Sequence, residues 1–145
     1  MAETLENTFR FDLVSPEAIV MSEDVKQVVI PGSVGEFGVL AHHAPLLSSI
    51  QPGVVRATEP NGNEVLYFVT GGVADINDNL CTVLAEEAAN LDDLDDVEEL
   101  KKAVEELRLQ QQNHIGMEEE HYIQRQLDIA IAKLDAVETF VLRRS

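Results

Sequence analysis

Four histidines, a single cysteine, one glycine-dense segment and a large excess of carboxylates are the groups with which this sequence could do chemistry. His42 and His43 are neighbours. On a strand, adjacent side chains project to opposite faces, which suits one shared metal ion poorly. His114 and His121 lie on either side of a break between two helical segments, and no Cys/His set has metal-ligand spacing. The histidines therefore read as solvated or locally satisfied. Cys81 sits inside the apolar run Leu80-Cys81-Thr82-Val83-Leu84 and reads as a small buried hydrophobe. Ser15 and Ser22 have no histidine nearby to activate them. Gly32-Ser33-Val34-Gly35-Glu36-Phe37-Gly38 lacks the Gly-Lys-Ser/Thr ending of a phosphate loop and does not introduce a helix, so it reads as a tight turn. Asp75-Ile76-Asn77-Asp78-Asn79 lacks the sixth-position glycine and twelfth-position glutamate of a calcium loop and also reads as a turn. The carboxylates gather at helix starts and on solvated faces, not as a facing acid/base pair. No catalytic residue, metal site or cofactor is expected.

The elements that must position these groups fall into two regions. Residues 1–87 hold seven of the eight glycines and all five prolines. Phe9-Arg10-Phe11-Asp12-Leu13 alternates as a half-buried strand does. Val25–Ile30 is β-branched and stops at Pro31-Gly32. Runs at 53–58 and 64–70 flank Glu59-Pro60-Asn61-Gly62-Asn63, a hairpin-type turn. Gly71-Gly72 and Asn77-Asp78-Asn79 punctuate the pieces that follow. Many short strands with no intervening helix predict an antiparallel β-sandwich or barrel over 1–87.

Residues 88–145 predict an antiparallel two-helix hairpin. Val97, Leu100, Val104, Leu107 and Gln111 step at helical spacing, as do Ile123, Leu127, Ala130, Leu134, Val137 and Val141. Asn113-His114-Ile115-Gly116 interrupts them, with Gly116 suited to a left-handed helix end. Asp92, Asp93, Asp95 and Asp96 complement the first helix dipole, and Arg143 and Arg144 the second. A hairpin of this kind buries one side of each helix only. It needs the sheet domain or another protein to complete its core, which points to an interaction module.

Composition narrows the classes further. At 45% apolar residues the 145-residue chain can bury a core, yet it has no run of about 18 apolar residues that would span a membrane. The acidic start Met1-Ala2-Glu3-Thr4-Leu5-Glu6 argues against a secretory or transit peptide. One cysteine excludes an internal disulfide and fits a reducing compartment. A net charge of −17 repels phosphate backbones and anionic lipid, so nucleic acid is excluded as a partner and residence at a membrane must go through protein.

Pro31-Gly32-Ser33-Val34-Gly35-Glu36-Phe37-Gly38-Val39-Leu40, then His42-His43-Ala44-Pro45-Leu46-Leu47, resembles the epsilon subunit family of bacterial and chloroplast ATP synthases, whose mitochondrial counterpart is called delta. That family reads PG-x-x-G-x-x-G-[VIL] and then GHAPLL; His42 stands here in place of the glycine. Pro52-Gly53-Val54, Tyr67–Gly72, Thr82–Glu86, the opening Phe11–Glu17 and Ala130–Leu134 resemble further family segments in the same order. The resemblance implies a ten-stranded β-sandwich followed by a helical hairpin. It implies a non-catalytic subunit at the foot of the gamma subunit, touching the c-ring and coupling its rotation through gamma to ATP synthesis in the alpha-beta hexamer. In many members the hairpin also inhibits ATP hydrolysis. By the same resemblance Gly35, Glu36 and Phe37 fall at the loop that meets c-subunit polar loops, and His43, Pro45 and Leu46 in the segment near gamma and the ring. The implied place is the cytoplasmic face of the bacterial inner membrane, or the matrix face of the mitochondrial one.

Some members bind ATP through [IL]-D-x-x-R-A at the start of the hairpin. Aligning Leu91-Asp92 puts Asp95-Asp96 at the Arg-Ala positions; aligning Leu94-Asp95 puts Glu98-Glu99 there. Either register sets an acid where a guanidinium would clamp phosphate, so no useful ATP binding is expected. Residues 88–145 carry 7 Lys/Arg against 14 Asp/Glu. Inhibitory hairpins of the family tend to be basic, so a hairpin folded on the sandwich and inhibiting weakly is expected. Two competing readings are a non-rotary adaptor of the same architecture, and a jelly-roll enzyme with a metal at His42 or His43.

Overall fold

A computed structural model describes residues 7–113 and 116–142. The acidic N-terminal hexapeptide, His114 and the Arg143-Arg144 pair lie outside the described residues. The chain divides into two compact units, residues 1–90 and 91–145. The division falls after Asn90 because Ala88–Asn90 still pair with a sheet strand.

The first unit is a ten-stranded β-sandwich. Its strands are β1 (Phe9–Ser15), β2 (Ala18–Val25), β3 (Gln27–Gly32), β4 (Gly35–Leu40), β5 (Leu46–Ile50), β6 (Gly53–Thr58), β7 (Glu64–Val69), β8 (Gly72–Asn77), β9 (Leu80–Ala85) and β10 (Ala88–Asn90). One layer runs β10-β7-β6-β3-β4 and the other β5-β8-β9-β1-β2. They join where Gly32 of β3 pairs with Ile50 of β5. All described pairings are antiparallel save β1 with β9, where Arg10–Val14 run beside Leu80–Leu84. Alternation places Phe9, Phe11 and Leu13 inward, each essentially inaccessible, against Val28, Ile30, Val55 and Val83. Burial of each such side chain contributes about 2 kcal/mol.

The turns follow their sequences. Ser33-Val34 make a two-residue link between β3 and β4, with Gly35 at φ 133°. Between β8 and β9, Asp78 and Asn79 both take positive φ, 52° and 60°, as a type I′ hairpin turn requires. In the 59–63 turn, the Glu59 N–H donates to the Asn63 carbonyl at 2.8 Å and Gly62 stands at φ 94°.

The second unit opens with a 3-10 turn, Leu91–Asp93, and continues as α1 (Val97–Gln112) and α2 (Met117–Ala136), which runs into a π-helical turn, Val137–Val141. Asp96 is the helix cap: its carboxylate accepts the Glu99 N–H at 3.0 Å. The predicted stripes meet, with Val104, Leu127 and Ala130 buried together and Leu107 and Leu134 packed on them. Gln111 at the end of its stripe donates to Gln124, which donates to Asp128 at 2.8 Å, so the stripe finishes in a polar clasp. Gly116 departs from its expected role. α1 ends at Asn113, with φ −93°, and Gly116 instead starts α2 at φ 143°, ψ 131°, its carbonyl accepting the Glu120 N–H at 3.0 Å. That backbone region is open essentially to glycine alone.

Candidate interaction surface

The six residues singled out from the sequence occupy the two ends of β4. Gly35, Glu36 and Phe37 stand at its start, beside the β3–β4 turn whose tip residue Val34 is 100% exposed. Glu36 is exposed and its Oε1 lies 3.5 Å from the Arg56 guanidinium, a surface ion pair worth about 0.5 kcal/mol. Phe37 turns its ring inward against the core, where a Cβ on Gly32 would come within 2.9 Å of it. Phe37 thus anchors the turn from beneath while Glu36 stays in solvent.

His43, Pro45 and Leu46 lie past the other end of β4. Four residues of strand, about 13 Å, separate Glu36 from Leu40, where that loop begins. The two groups are therefore not one constellation. The loop is fixed by backbone and amide bonds. The His43 N–H donates to the Leu40 carbonyl at 3.2 Å, and its Nδ1 donates to the Ala44 carbonyl at 2.6 Å. The His42 N–H donates to Asn79 Oδ1 at 2.7 Å, and Asn79 Nδ2 donates to the Thr8 carbonyl at 3.1 Å. His42 itself stands at φ 63°. The two histidines sit in a turn, not on a strand, and among the described residues no three His, Cys, Asp or Glu side chains cluster as metal ligands would.

The remaining candidate groups have structural work. Cys81 is fully buried, and burial first, with Asp75 and Asp12 repelling the thiolate, pushes its thiol up to about 12. Ser22 donates to Asp12 at 2.6 Å and accepts from Arg10, which also pairs with Asp12 at 3.3 Å. The carboxylate that accepts from its hydroxyl is itself paired with Arg10, and the trio contains no histidine.

The outer face of the β5-β8-β9-β1-β2 layer carries a feature that residue types alone do not disclose. Register aligns Val73, Leu84, Val14 and Ile19 in one outward row across four strands. Val73, Leu84 and Ile19 are 39%, 53% and 69% exposed. A shallow groove of about 490 Å³ runs beside the row, bounded by Pro16, Gly72 and Glu86. The next outward row is Leu47, Asp75, Thr82, Asp12 and Ser22, so an apolar band is flanked by acids. Each strand reads as alternating, but which alternate faces water depends on pairing partners far away in sequence. Exposed apolar patches of this kind are typical of surfaces that dock partners.

The family model described as ATP synthase, Delta/Epsilon chain, beta-sandwich domain matches residues 8–91. The ATP synthase epsilon chain of Rhodospirillum centenum is 40% identical over 141 residues, covering 94% of each chain. That of Mesorhizobium japonicum is 50% identical over 91 residues, covering 63% of this chain and 67% of the relative. Among solved structures, a chain of the Euglena gracilis mitochondrial ATP synthase, in an OSCP/F1/c-ring assembly, superimposes with a TM-score of 0.82 at 26% identity, covering 90% of this chain and 81% of that one. A chain from the Tetrahymena thermophila mitochondrial ATP synthase central stalk and c-ring has a TM-score of 0.58 at 10% identity, a likeness of fold.

Proposed function

Because the chain belongs to the ATP synthase delta/epsilon family, we propose that it serves as a rotor subunit of the central stalk, binding gamma and the c-ring and catalysing nothing itself. Rotation of the ring by proton flow passes through gamma to the alpha-beta hexamer, and this subunit ties the two moving parts together. The similarity to a chain within an F1/c-ring assembly supports those partners. No described helix is long and apolar enough to cross a membrane, and the −17 charge disfavours anionic lipid. Attachment at the cytoplasmic face of a bacterial inner membrane would then be peripheral and carried by the ring.

The observation that carries the reading is the outward row Val73, Leu84, Val14 and Ile19. An apolar band with an acidic border fits a protein surface that presents apolar side chains between basic ones. We assign this face to gamma, and the exposed β3–β4 turn with Glu36 to the polar loops of the ring. The loop of His43 and Pro45 leads directly into β5 of the gamma-facing layer, whereas Gly35, Glu36 and Phe37 begin β4 of the other layer. Leu84→Glu places a charge in the centre of the band at an exposed position. Its gamma affinity should fall at least tenfold, about 1.4 kcal/mol, while its thermal unfolding stays unchanged. Undiminished gamma binding by the folded variant would remove this face from the assignment.

The hairpin is acidic and offers little to acidic catalytic surfaces, so its inhibition of hydrolysis is weak. Deleting residues from Leu91 onward, at the division between the compact units, should leave ATPase activity of the assembled complex nearly unchanged. A severalfold rise would overturn that.

A further inference from the structure

The tip of the β6–β7 hairpin holds the one asparagine of this chain that precedes a glycine, Asn61-Gly62. The turn is closed twice. The Gly62 N–H donates to the Glu59 carbonyl at 2.8 Å, and the Glu59 N–H donates to the Asn63 carbonyl at 2.8 Å. Pro60 between them has its φ fixed by its ring. Inside this frame the Asn63 N–H donates to Asn61 Oδ1 at 2.9 Å. To reach an N–H two residues on, the Asn61 side chain curls across the peptide that joins it to Gly62. That fold of the side chain brings its amide carbon toward the Gly62 nitrogen.

An amide carbon is an electrophile, and the next backbone nitrogen is the nucleophile within reach of it. A glycine nitrogen approaches unhindered, because no Cβ stands beside it. The tip also lies open: Asn61 and Gly62 are exposed, and a Cβ built on Gly62 would meet nothing within 4 Å. The Asn63 N–H points at the oxygen on which negative charge develops when the carbon is attacked, as the donor of an oxyanion site does. The other asparagines lack this combination. Each is followed by a residue that carries a side chain, Glu64 after Asn63, Asp78 after Asn77 and Leu80 after Asn79 among them. Asn79 shares the hairpin setting, but its Nδ2 is tied to the Thr8 carbonyl at 3.1 Å and its Oδ1 to the His42 N–H at 2.7 Å.

We propose that Asn61 is a spontaneous modification site, converted in the folded chain to a mixture of aspartate and isoaspartate through a cyclic imide closed by the Gly62 nitrogen. The site stands apart from the rotor assignment and needs none of its partners. Hydroxide takes the Gly62 N–H proton, and the nitrogen forms a bond to Asn61 Cγ. The electron pair moves onto Oδ1, where the Asn63 N–H holds it. Its return breaks the bond from Cγ to Nδ2, which leaves as ammonia after taking a proton from water. Water then adds to the imide. Cleavage of the new nitrogen–Cγ bond gives aspartate, and cleavage of the original peptide bond gives isoaspartate. Nothing is oxidised or reduced. The attack requires the Gly62 N–H to leave the Glu59 carbonyl, a single bond at an exposed hairpin tip, where local opening costs far less than global unfolding. Both products add a carboxylate between Glu59 and Glu64, and isoaspartate also lengthens the backbone of the turn by a carbon.

The test is peptide mapping by mass spectrometry of the intact chain during incubation at pH 8, folded in buffer and unfolded in urea. In the folded chain, amide loss should accumulate at Asn61 well ahead of Asn63, Asn77 and Asn79, at a rate within severalfold of that in urea. The product should contain isoaspartate as well as aspartate, because direct hydrolysis of the side chain gives aspartate alone. Gly62→Ala should slow the loss severalfold, since a Cβ then stands beside the attacking nitrogen. The arms on the unmodified chain decide the matter even if that variant disturbs the turn. Amide loss at Asn61 in urea but not in buffer, aspartate without isoaspartate, or equal loss at Asn63 in the folded chain overturns the proposal.

Discussion

A Cβ placed on Gly72 would lie 2.1 Å from the carbonyl oxygen of Leu84, its ladder neighbour one residue away in register, and Gly72 stands at φ 148°. Both the close approach and the backbone angle exclude a side chain. Gly72→Ala would have to push β9 away from β8 at the start of the sheet that carries the apolar row. The expected cost is about 4 kcal/mol or more, read as loss of the folded baseline in urea titration. Gly62→Ala is the control. Gly62 stands at φ 94° in open space, so only the backbone penalty of about 1 kcal/mol should appear.

His42 fills a left-handed position, φ 63°, at the place where the resembling family has glycine. What the loop takes from residue 42 is its N–H, donated to Asn79, and glycine supplies that equally well. His42→Gly should therefore raise stability, by about 0.5 kcal/mol after the added unfolded-chain entropy is counted. Asn79→Ala should do the reverse. It removes the acceptor for His42 and the donor to Thr8, and sets alanine at φ 60°, for a loss of about 2 kcal/mol in the same titration.

These positions show why part of the architecture could be read in advance. Turn chemistry is local: Asp78-Asn79, Gly71-Gly72 and the 59–63 segment declare themselves within a few residues, and two helical stripes are visible by counting. The β1–β9 parallel pair and the outward row are nonlocal. Val14 meets Leu84 across 70 residues of chain, and nothing in either segment names the other. Gly116 differs from its expected role for a related reason. A glycine between two helices can serve the end of one or the start of the next, and backbone angles alone distinguish them.

Cys81 should be chemically silent while the sandwich is folded. Its thiol, pushed up to about 12 by burial and then by Asp75 and Asp12, holds almost no thiolate at pH 8, and the thiolate is the reactive form. Reaction with an aromatic disulfide reagent at pH 8 should be over about 100-fold slower in buffer than in denaturing urea. The stability linked to this thiol is complete below the unfolded value near 9 and falls as pH rises toward about 12, so alkaline unfolding should bring the thiol into reach. Rapid labelling of the native chain at pH 8 would contradict the buried placement.

The start of the helical unit should not hold ATP. A triphosphate needs cationic donors, and the first turn of α1 presents Glu98 and Glu99. Asp96 is held in that turn by capping the Glu99 N–H. The cations that α1 does carry, Lys101, Lys102 and Arg108, line a groove of about 540 Å³ together with Glu98 and Glu105, so their charge is partly met within the helix itself. Titration calorimetry of the isolated chain with millimolar ATP and magnesium should give no saturable heat. Asp95→Arg and Glu98→Arg restore the missing cation in the two alternative registers. If a clamp is otherwise present, one of them should gain measurable binding and the other should not, which would also decide the register. Saturable binding by the unmodified chain would show that Lys101, Lys102 and Arg108 overcome the surrounding acids.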